Sequence, residues 1–569
     1  MPWAYLKRVL AGAIFGLYMA NLLYFLNPQV DITPARLVAV TLVYGVICGV
    51  LFGTALWLLH LIRVRLFGLF PLPTGEGGSE GPGEGRAPHP PLRGTFSRGE
   101  KGYRAHGFGF VVLAAFIATI IYAIHLRVFR DYLPIGAVRI LSKATIVITA
   151  TAFALLILWF FERNANARTS RAIFVTGVIL IVISSFFLYQ RRESYRTDKR
   201  DIVVANVGTV AGKRPIIVIA IRNLPYDWIL TMSGEGIVPF TDATSKSAYF
   251  TRLEPFAITS PDALWASLAT GKLPYRHGVT GRFSYRTPLN GSDPSERFLL
   301  LPSGVGFEAW GLIPPVHRIS AQLPAGDALP LWTAFARLSL RVKAINWPSS
   351  GASIDARREQ GNVARVAQRF NGTGSARKRI LDGLAKDLAA MSVLQETRAY
   401  DLRVVALEGF SEAQRALHIF TNDLPPRSSM KGEALRAYAQ QLDRMIERVV
   451  RENPEHLVVV CSPSGVVPAA VPATAWSFVS QTIRNDDPGA DDGFVLITGP
   501  GVTHTAKPES ATVVDIVPTV LFAADLPIGR DMDGRVLTDA FADDFLRQTK
   551  LSAIQTYEAE QLLVRRSGA

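Results

Sequence analysis

Gly499-Pro500-Gly501-Val502 opens the stretch of this 569-residue sequence that decides its fold. The stretch follows the short apolar run Phe494–Thr498, continues through Ser510–Ala524, and closes with Arg530-Asp531-Met532-Asp533-Gly534-Arg535. The run before it is β-branched and short, as in a buried strand, whereas residues 510–524 have the character of a helix. Strand, turn, helix and turn in this order indicate one step of an α/β domain.

The same alternation extends back along the chain and predicts an α/β domain over residues 213–545. Its strands are short and rich in Val and Ile, which is typical of a largely parallel sheet covered on both faces. A long amphipathic helix is expected over Ala434–Glu452. We predict strands at Pro215–Ile221, Val342–Asn346, Leu402–Leu407, His456–Cys461 and Phe494–Thr498.

The first 190 residues have a different composition and predict an all-α bundle of five transmembrane helices. Each apolar run approaches the roughly 20 residues that a helix needs to cross hydrocarbon. The runs lie at about residues 9–26, 37–60, 107–126, 141–161 and 172–190. Residues 71–106, rich in Gly and Pro, are expected to form a flexible loop. We further predict a linker over residues 191–212 and a helical C-terminal tail over residues 546–569.

The basic residues predict an orientation in the membrane. The segment after the second run is rich in Arg, and such segments stay cytoplasmic. This places the N-terminus inside and, after five crossings, the α/β domain in the periplasm or another extracytoplasmic space, on a multi-pass protein of the inner (plasma) membrane. The basic residues from Arg191 to Arg200 oppose this assignment by the same rule.

The net charge of +14 would suit a nucleic-acid-binding protein. However, the basic residues crowd the flanks of the apolar runs, where they commonly determine topology and contact lipid. We therefore expect the membrane as a partner and no nucleic acid. The two cysteines, Cys48 and Cys461, lie in different predicted regions and are not expected to pair.

Residues 214–540 resemble the alkaline phosphatase superfamily, and within it the type I phosphodiesterase and nucleotide pyrophosphatase branch. The resemblance rests on the blocks Arg214–Ile221, Ser260–Val279, Leu340–Pro348 and Gly499–Leu537. It implies a three-layer sandwich with a mostly parallel sheet. It also implies a Ser or Thr nucleophile and two metal ions, usually zinc, which activate the hydroxyl and neutralise the transferring phosphoryl group.

The positions that hold these metals in the family carry other residues here. Arg222 stands where an Asp is expected after the first strand, and a guanidinium cannot ligate a cation. The expected Ser-Asp-His-Gly reads Ser462-Pro463-Ser464-Gly465. After Leu407, two pairs fit the expected Asp and His only in part, and four acidic residues stand where a last His is expected. These residues are Glu408 with Glu412, Gln414 with His418, and Asp486, Asp487, Asp491 and Asp492.

The segment that bears the nucleophile departs as well, because one extra residue precedes Gly271. Ser260 lies nearest to the nucleophile position, and Thr259 is the alternative. The leading hypothesis is a membrane-anchored pseudoenzyme that keeps the fold without a metal cofactor. Arg222, helped by Arg276 and His277, would then bind a phosphate- or sulfate-bearing ligand through its paired N–H donors.

Two alternatives remain open at this point. The first is an active phosphodiesterase or phosphotransferase with a zinc pair, acting on phosphoesters at the membrane surface. Its substitute ligands would come from Asp227, Asp262, Glu408, Glu412, His418 or the cluster Asp486–Asp492. The second is a transport or assembly role of the five helices, in which no charged residue other than His125, near a helix end, would mark a pathway.

Overall fold

A computed structural model describes most of the chain in two compact units. One comprises Met1–Arg127 and Ile135–Thr197, and the other is formed chiefly by Asp198–Ala569. The described residues are 2–26, 34–67, 106–128, 135–162, 165–193, 204–210, 214–255, 261–277, 279, 283–286, 317–320, 328–348, 355–396, 399–466, 491–559 and 561–566. The predicted loop at 71–106 lies almost entirely outside them.

Five helices form the first unit, and four of them are long and apolar enough to cross a membrane. In the first helix the described apolar stretch is shorter, Ala11–Leu22, so the structure supports four of the five predicted spans among the residues it describes. The helices are α1 (Pro2–Leu26), α2 (Pro34–Phe67), α3 (His106–Val128), α4 (Ile135–Glu162) and α5 (Ala167–Glu193).

Glycines bring α1 and α2 into backbone contact. A Cβ added at Gly12 would lie 2.6 Å from the Cys48 carbonyl oxygen, and one added at Gly16 would lie 2.4 Å from that of Tyr44. Small residues four apart permit such close approach between membrane helices, where packing rather than the hydrophobic effect drives association. The pairing of α1 with α2 therefore depends on these two glycines.

Buried hydrogen bonds join three helices of this unit. The Tyr18 hydroxyl on α1 shares a 2.9 Å hydrogen bond with the Ser184 hydroxyl on α5, and the Tyr122 hydroxyl on α3 donates to the Tyr18 carbonyl at 2.8 Å. Because a polar group without a partner is costly in an apolar bundle, these bonds favour one arrangement of α1, α3 and α5.

A seven-stranded sheet forms the centre of the second unit, with strand order β10-β3-β9-β8-β2-β7-β6. Only β9 runs antiparallel to its neighbours. The strands are β2 (Ile216–Ile221), β3 (Tyr249–Glu254), β6 (Val342–Ile345), β7 (Leu402–Leu407), β8 (Leu457–Ser462), β9 (Gly493–Thr498) and β10 (Ala511–Thr512). Three two-stranded sheets pair β1 (Val204–Val210) with β13 (Gln561–Arg566), β4 (Phe283–Arg286) with β5 (His317–Ser320), and β11 (Ile528–Gly529) with β12 (Ala553–Ile554).

Helices cover both faces of the central sheet, since every residue of β2, β7 and β8 is buried. Odd-numbered residues of β2, such as Ile219, pack with Leu435 and Leu442 in one continuous core. The helices of this unit are α6 (Tyr226–Gly234), α7 (Pro239–Ser245), α8 (Pro261–Thr270), α9 (Pro274–His277), α10 (Leu331–Arg337), α11 (Gln360–Val366), α12 (Arg377–Glu396), α13 (Gly409–Ala416), α14 (Met430–Glu452), α15 (Ile516–Ala523) and α16 (Asp543–Gln548). The predicted layered α/β domain with a mostly parallel sheet is confirmed.

The two ends of this unit differ from the sequence-based expectation. The predicted helical tail is wrong, because α16 ends at Gln548 and residues 561–566 form β13. The predicted linker contains β1, which pairs in parallel with β13. The composition of the tail suits a helix, but pairing with a strand more than 350 residues earlier in the sequence satisfies its backbone instead.

Candidate functional site

The carboxyl ends of three neighbouring parallel strands meet at one edge of the sheet. In the register of the sheet, Ile221 lies beside Leu407, and Ala220 lies beside Cys461. The residues that end or follow β2, β7 and β8 therefore converge at this edge, which is where open α/β sheets bind their ligands. These residues are Arg222, Glu408 and Ser462.

Arg222 and Glu408 form an ion pair across this edge. The Arg222 Nη1 lies 2.7 Å from the Glu408 Oε1, and the two side chains are 19% and 30% exposed. The pair places a fixed cation directly after β2, where the family resemblance implies a metal-binding carboxylate. A guanidinium has no lone pair for a metal and stays charged at any physiological pH.

Asn223 fixes the turn that follows. Its backbone has φ 60°, a left-handed conformation that Asn tolerates better than most residues. Its side-chain amide donates to the Ser411 hydroxyl at 3.1 Å, and its carbonyl accepts from the Gln414 side chain at 2.8 Å. These bonds attach the end of β2 to α13, which begins directly after Glu408. Arg222 and its counterion are therefore held by two connected turns.

Asp387 lies below this turn and binds the start of α13. Its carboxylate accepts hydrogen bonds from the Gly409 backbone N–H at 3.2 Å and from the Tyr438 hydroxyl at 2.9 Å. Burial raises the pKa of Asp387 to about 7, and the bonds from Tyr438 and Gly409 oppose this rise only in part. Sequence reasoning missed this residue because nothing in its neighbourhood along α12 indicates a buried carboxyl group.

The end of β8 carries a serine hydroxyl, that of Ser462, which is already hydrogen-bonded. The Ser462 hydroxyl accepts from the Leu224 N–H at 3.0 Å and donates to the Ser464 carbonyl at 2.8 Å. Pro463 offers no ligand, and Ser464 is buried. This strand end therefore closes a turn instead of presenting a carboxylate and an imidazole.

An acidic cluster lies near the start of β9. Arg252 bridges it, with nitrogens 2.7 Å from Asp227 Oδ1 and 3.2 Å from Asp492 Oδ2. Burial, followed by repulsion from Asp227, Asp492 and Asp423, raises the pKa of Asp491 to about 6. Asp486 and Asp487, which belong to the same predicted cluster, lie outside the described residues.

The remaining candidate ligands have other contacts. Glu412 lies 3.6 Å from the Lys386 ammonium group. His418 has φ 53° and packs its ring edgewise on Phe420, with ring centres 6.3 Å apart. Asp262 lies in the first turn of α8. Within the described ranges, no group of three or more His, Cys, Asp or Glu side chains is arranged to hold a metal ion.

The predicted nucleophiles, Ser260 and Thr259, lie outside the described residues, and the structure resumes at Pro261 with α8. Beyond α8, the segment is fastened to the closing block of the domain. The Arg276 Nε lies 3.0 Å from Asp533 Oδ1, and the Asp533 carboxylate also accepts from the Leu273 N–H at 2.8 Å. This explains why the sequence blocks around Gly271 and Asp533 occur together in one fold.

His277, the third predicted anion-binding residue, is buried and engaged at both ring nitrogens. Nδ1 accepts from the Val279 N–H at 3.1 Å, so Nε2 carries the proton and donates to the Ser267 hydroxyl at 2.9 Å. Burial, aided by the Lys272 charge, lowers the pKa of His277 to about 3, so the ring is neutral. This corrects the prediction that His277 assists Arg222, because it has neither a charge nor a nitrogen left for an anion.

Lys272 stabilises the same region from within. Its ammonium group lies 2.5 Å from Asp531 Oδ2 and 2.8 Å from Glu558 Oε2, and its side chain is 4% exposed. Thr556 donates to Asp531 at 2.8 Å. The cluster holds the C-terminal segment against the turn after α8. Its role is structural, because the Lys272 ammonium group is paired with both carboxylates.

The geometry thus defines an α/β domain whose strand-end site carries the Arg222–Glu408 ion pair. The sequence profile of the type I phosphodiesterase / nucleotide pyrophosphatase family matches residues 230–528, which is more than half of the chain. The chain belongs to this family. Its members are typically metal-dependent, with zinc, whereas the described residues at this edge do not fit a dinuclear metal site.

Solved structures with a similar fold have low sequence identity. Murine ectonucleotide pyrophosphatase/phosphodiesterase 5 is 12% identical over 55% of this chain and 95% of its own, with a TM-score of 0.34. The alkaline phosphatase PafA is 9% identical over 58% and 99%, with a TM-score of 0.38. A putative sulfatase from Bacteroides thetaiotaomicron is 12% identical over 57% and 74%, with a TM-score of 0.36. A search of curated proteins finds no match.

Proposed function

We propose that this protein is a membrane-anchored pseudoenzyme of the type I phosphodiesterase family, which keeps the scaffold without dinuclear metal catalysis. The observation that carries the proposal is the Arg222–Glu408 ion pair at the ends of β2 and β7. A divalent cation placed beside the guanidinium would be repelled, and Glu408 already has a cation as its partner. The Ser462 hydroxyl at the end of β8, which is already hydrogen-bonded, supports the same conclusion.

A metal measurement on the full chain, purified in detergent, tests this proposal. After loading with zinc or manganese and removal of the excess, we expect no stoichiometric metal by elemental analysis and no hydrolysis of phosphodiesters or phosphomonoesters. Two retained metals per chain with turnover would overturn it. In that case the variants Glu408→Gln and His418→Gln would identify the substitute ligands, while Lys246→Gln, at an exposed position elsewhere, serves as the control.

The retained site binds an anion in this proposal, with Arg222 as the recognition residue. A phosphate or sulfate group would accept from the guanidinium edge that Glu408 leaves open, and it would have to compete with that carboxylate. Glu408→Gln is therefore expected to raise affinity for inorganic phosphate, whereas Arg222→Ala should abolish it. Equal phosphate affinity in the parent and in both variants, measured by calorimetry, would contradict this role.

The proposal also includes the location of the domain. It places the N-terminus in the cytoplasm, all five helices across the inner (plasma) membrane, and the α/β domain outside the cytoplasm. The four long apolar helices and the 25-residue α1 support it, because 25 residues give about 38 Å of helix at 1.5 Å per residue. A Ser375→Cys variant should react with an impermeant maleimide in right-side-out vesicles. Labelling only in inside-out vesicles would show that the domain lies on the cytoplasmic side instead.

A further inference from the structure

A one-sided basic surface covers residues 356–379, and we call it the basic cap. The segment contains seven basic residues and one acidic residue. The acidic residue, Glu359, is buried, and its carboxylate accepts from Asn362 at 2.7 Å and from Ser392 at 2.8 Å. Within residues 356–379 the exposed side chains therefore carry positive charge only, and the exposed carboxylates nearest in sequence, Asp355 and Asp382, flank the segment.

The cap is built from short helical elements that separate apolar from basic side chains. A 3₁₀ turn (Ala356–Glu359), α11, a second 3₁₀ turn (Ala367–Ala376) and the start of α12 follow one another. Their inward side chains are Val363, Phe370, Ala376 and Ile380, all buried. Their exposed side chains include Arg357, Arg358, Arg365, Arg369, Lys378 and Arg379.

Most of these cations have no acidic partner among the residues that the structure describes. Arg369 donates to Gln440, and Arg357 is 4.0 Å from Asp355 while remaining 89% exposed. Lys378 and Arg379, with Arg377, lie in the first turn of α12, which contains no acidic residue. Cations at a helix N-terminus oppose the helix dipole, so this arrangement costs stability unless an anion compensates it.

The cap lies toward the edge of the sheet that carries Arg222 and Glu408. The Leu394 carbonyl near the end of α12 binds Arg403 in β7, whereas Gly383 lies against Gly409 beyond the other end of β7. Helix α12 therefore runs antiparallel to β7. Its first turn, four to six residues before Gly383, extends about 6–9 Å farther in that direction.

We propose that the basic cap binds anionic phospholipid head groups of the membrane that anchors the chain. The inference rests on the membrane anchoring in the proposed function, which keeps the domain at high effective concentration near lipid phosphates. The exposed cap suits a surface of many charges, because its cations lie on several consecutive elements. Each basic residue near an anionic membrane contributes about a factor of five in binding.

The test uses the full chain in lipid nanodiscs, either zwitterionic or with about a third of phosphatidylglycerol. Hydrogen exchange of peptides from residues 356–379 is expected to slow about twofold or more in the anionic discs. The slowing should disappear in about 1 M salt, where the screening length falls to about 3 Å. The double variant Arg365→Glu/Arg379→Glu should show no slowing in the anionic discs. The control variant Arg444→Glu/Arg448→Glu, with two charge reversals on α14, should show the same slowing as the parent.

Three results would overturn the proposal. The first is equal exchange in both kinds of disc, and the second is equal sensitivity of the α14 control variant. The third is slowing caused by a soluble polyanion in zwitterionic discs without any effect of anionic lipid, which would assign the cap to a polymer instead. Failure of the chain to remain in discs of either composition would contradict the membrane anchoring itself. The outcome of the metal measurement has no bearing on the hydrogen exchange of residues 356–379.

Discussion

Replacing the buried Asp387 by Asn should change how the stability of the domain depends on pH. Asp387 is fully buried, and burial raises its pKa from 3.8 to about 7. The folded state therefore keeps its proton up to about pH 7, whereas the unfolded chain releases the proton near pH 4. Unfolding releases a proton between these values, so the contribution of Asp387 to stability falls as pH rises through this window and levels off above it.

The size of the effect follows from these two pKa values. At 1.36 kcal/mol per pH unit, the free energy of unfolding should fall by about 3 kcal/mol between about pH 4.5 and about pH 7.5 through this group alone. Asp387→Asn cannot titrate and removes this contribution. Asn keeps an oxygen for the Gly409 N–H, and the Tyr438 hydroxyl can accept from the new amide.

The assay is urea-induced unfolding of the full chain in detergent, followed by tryptophan fluorescence at both pH values. We expect the stability difference between Asp387→Asn and the parent to shift by about 3 kcal/mol in favour of the variant at the higher pH. Asp382→Asn, an exposed position on the same helix, should shift little. The reasoning is refuted if the difference between Asp387→Asn and the parent is the same at both pH values.

Three further predictions test the packing of the domain. Gly409→Ala would place a Cβ 2.0 Å from the Tyr438 hydroxyl, so we expect the free energy of unfolding in urea to fall by about 1–3 kcal/mol. The control is Gly361→Ala in α11, which has open space around it and should be neutral or stabilising. Lys272→Met leaves two carboxylates without their cation, so the free energy of unfolding in the same assay should fall by about 3–5 kcal/mol. Equal stability of this variant and the parent would contradict the prediction. Burial raises the pKa of the Cys461 thiol to about 12, so a maleimide should modify it only in denaturant, and rapid modification of the folded chain would show that β8 opens.

Local sequence was sufficient to predict where the central strands lie along the chain. The Val- and Ile-rich runs at Leu402–Leu407 and Phe494–Thr498 coincide with β7 and β9 within one residue, because strands buried on both faces need apolar residues throughout. Strands β10, at one edge of the sheet, and β3 beside it were not predicted. Strand β3 buries alternate residues only, and β10 has two residues, so neither gives a continuous apolar signal.

Alignment with the family motif was sufficient to place Arg222 and Pro463 at strand ends, since the motif fixes their distance from recognisable strands. The motif did not identify the partner of Arg222, because Glu408 is 186 residues away and becomes a neighbour only through the parallel pairing of β2 with β7. His277 was predicted to bind an anion, and its neutral state depends on two hydrogen bonds and on complete burial, neither of which a sequence displays.

The sequence by itself thus determined four apolar helices, the positions of the central strands along the chain and the residue types at the positions that hold metal in the family, because each depends on residues close together in the chain or on a motif. The tertiary structure alone decided the ion pair at the strand ends, the buried Asp387 beneath it, the pairing of the tail as β13 and the one-sided basic cap. Each of these depends on contacts between distant segments, whose energies are set by burial and geometry rather than by local composition.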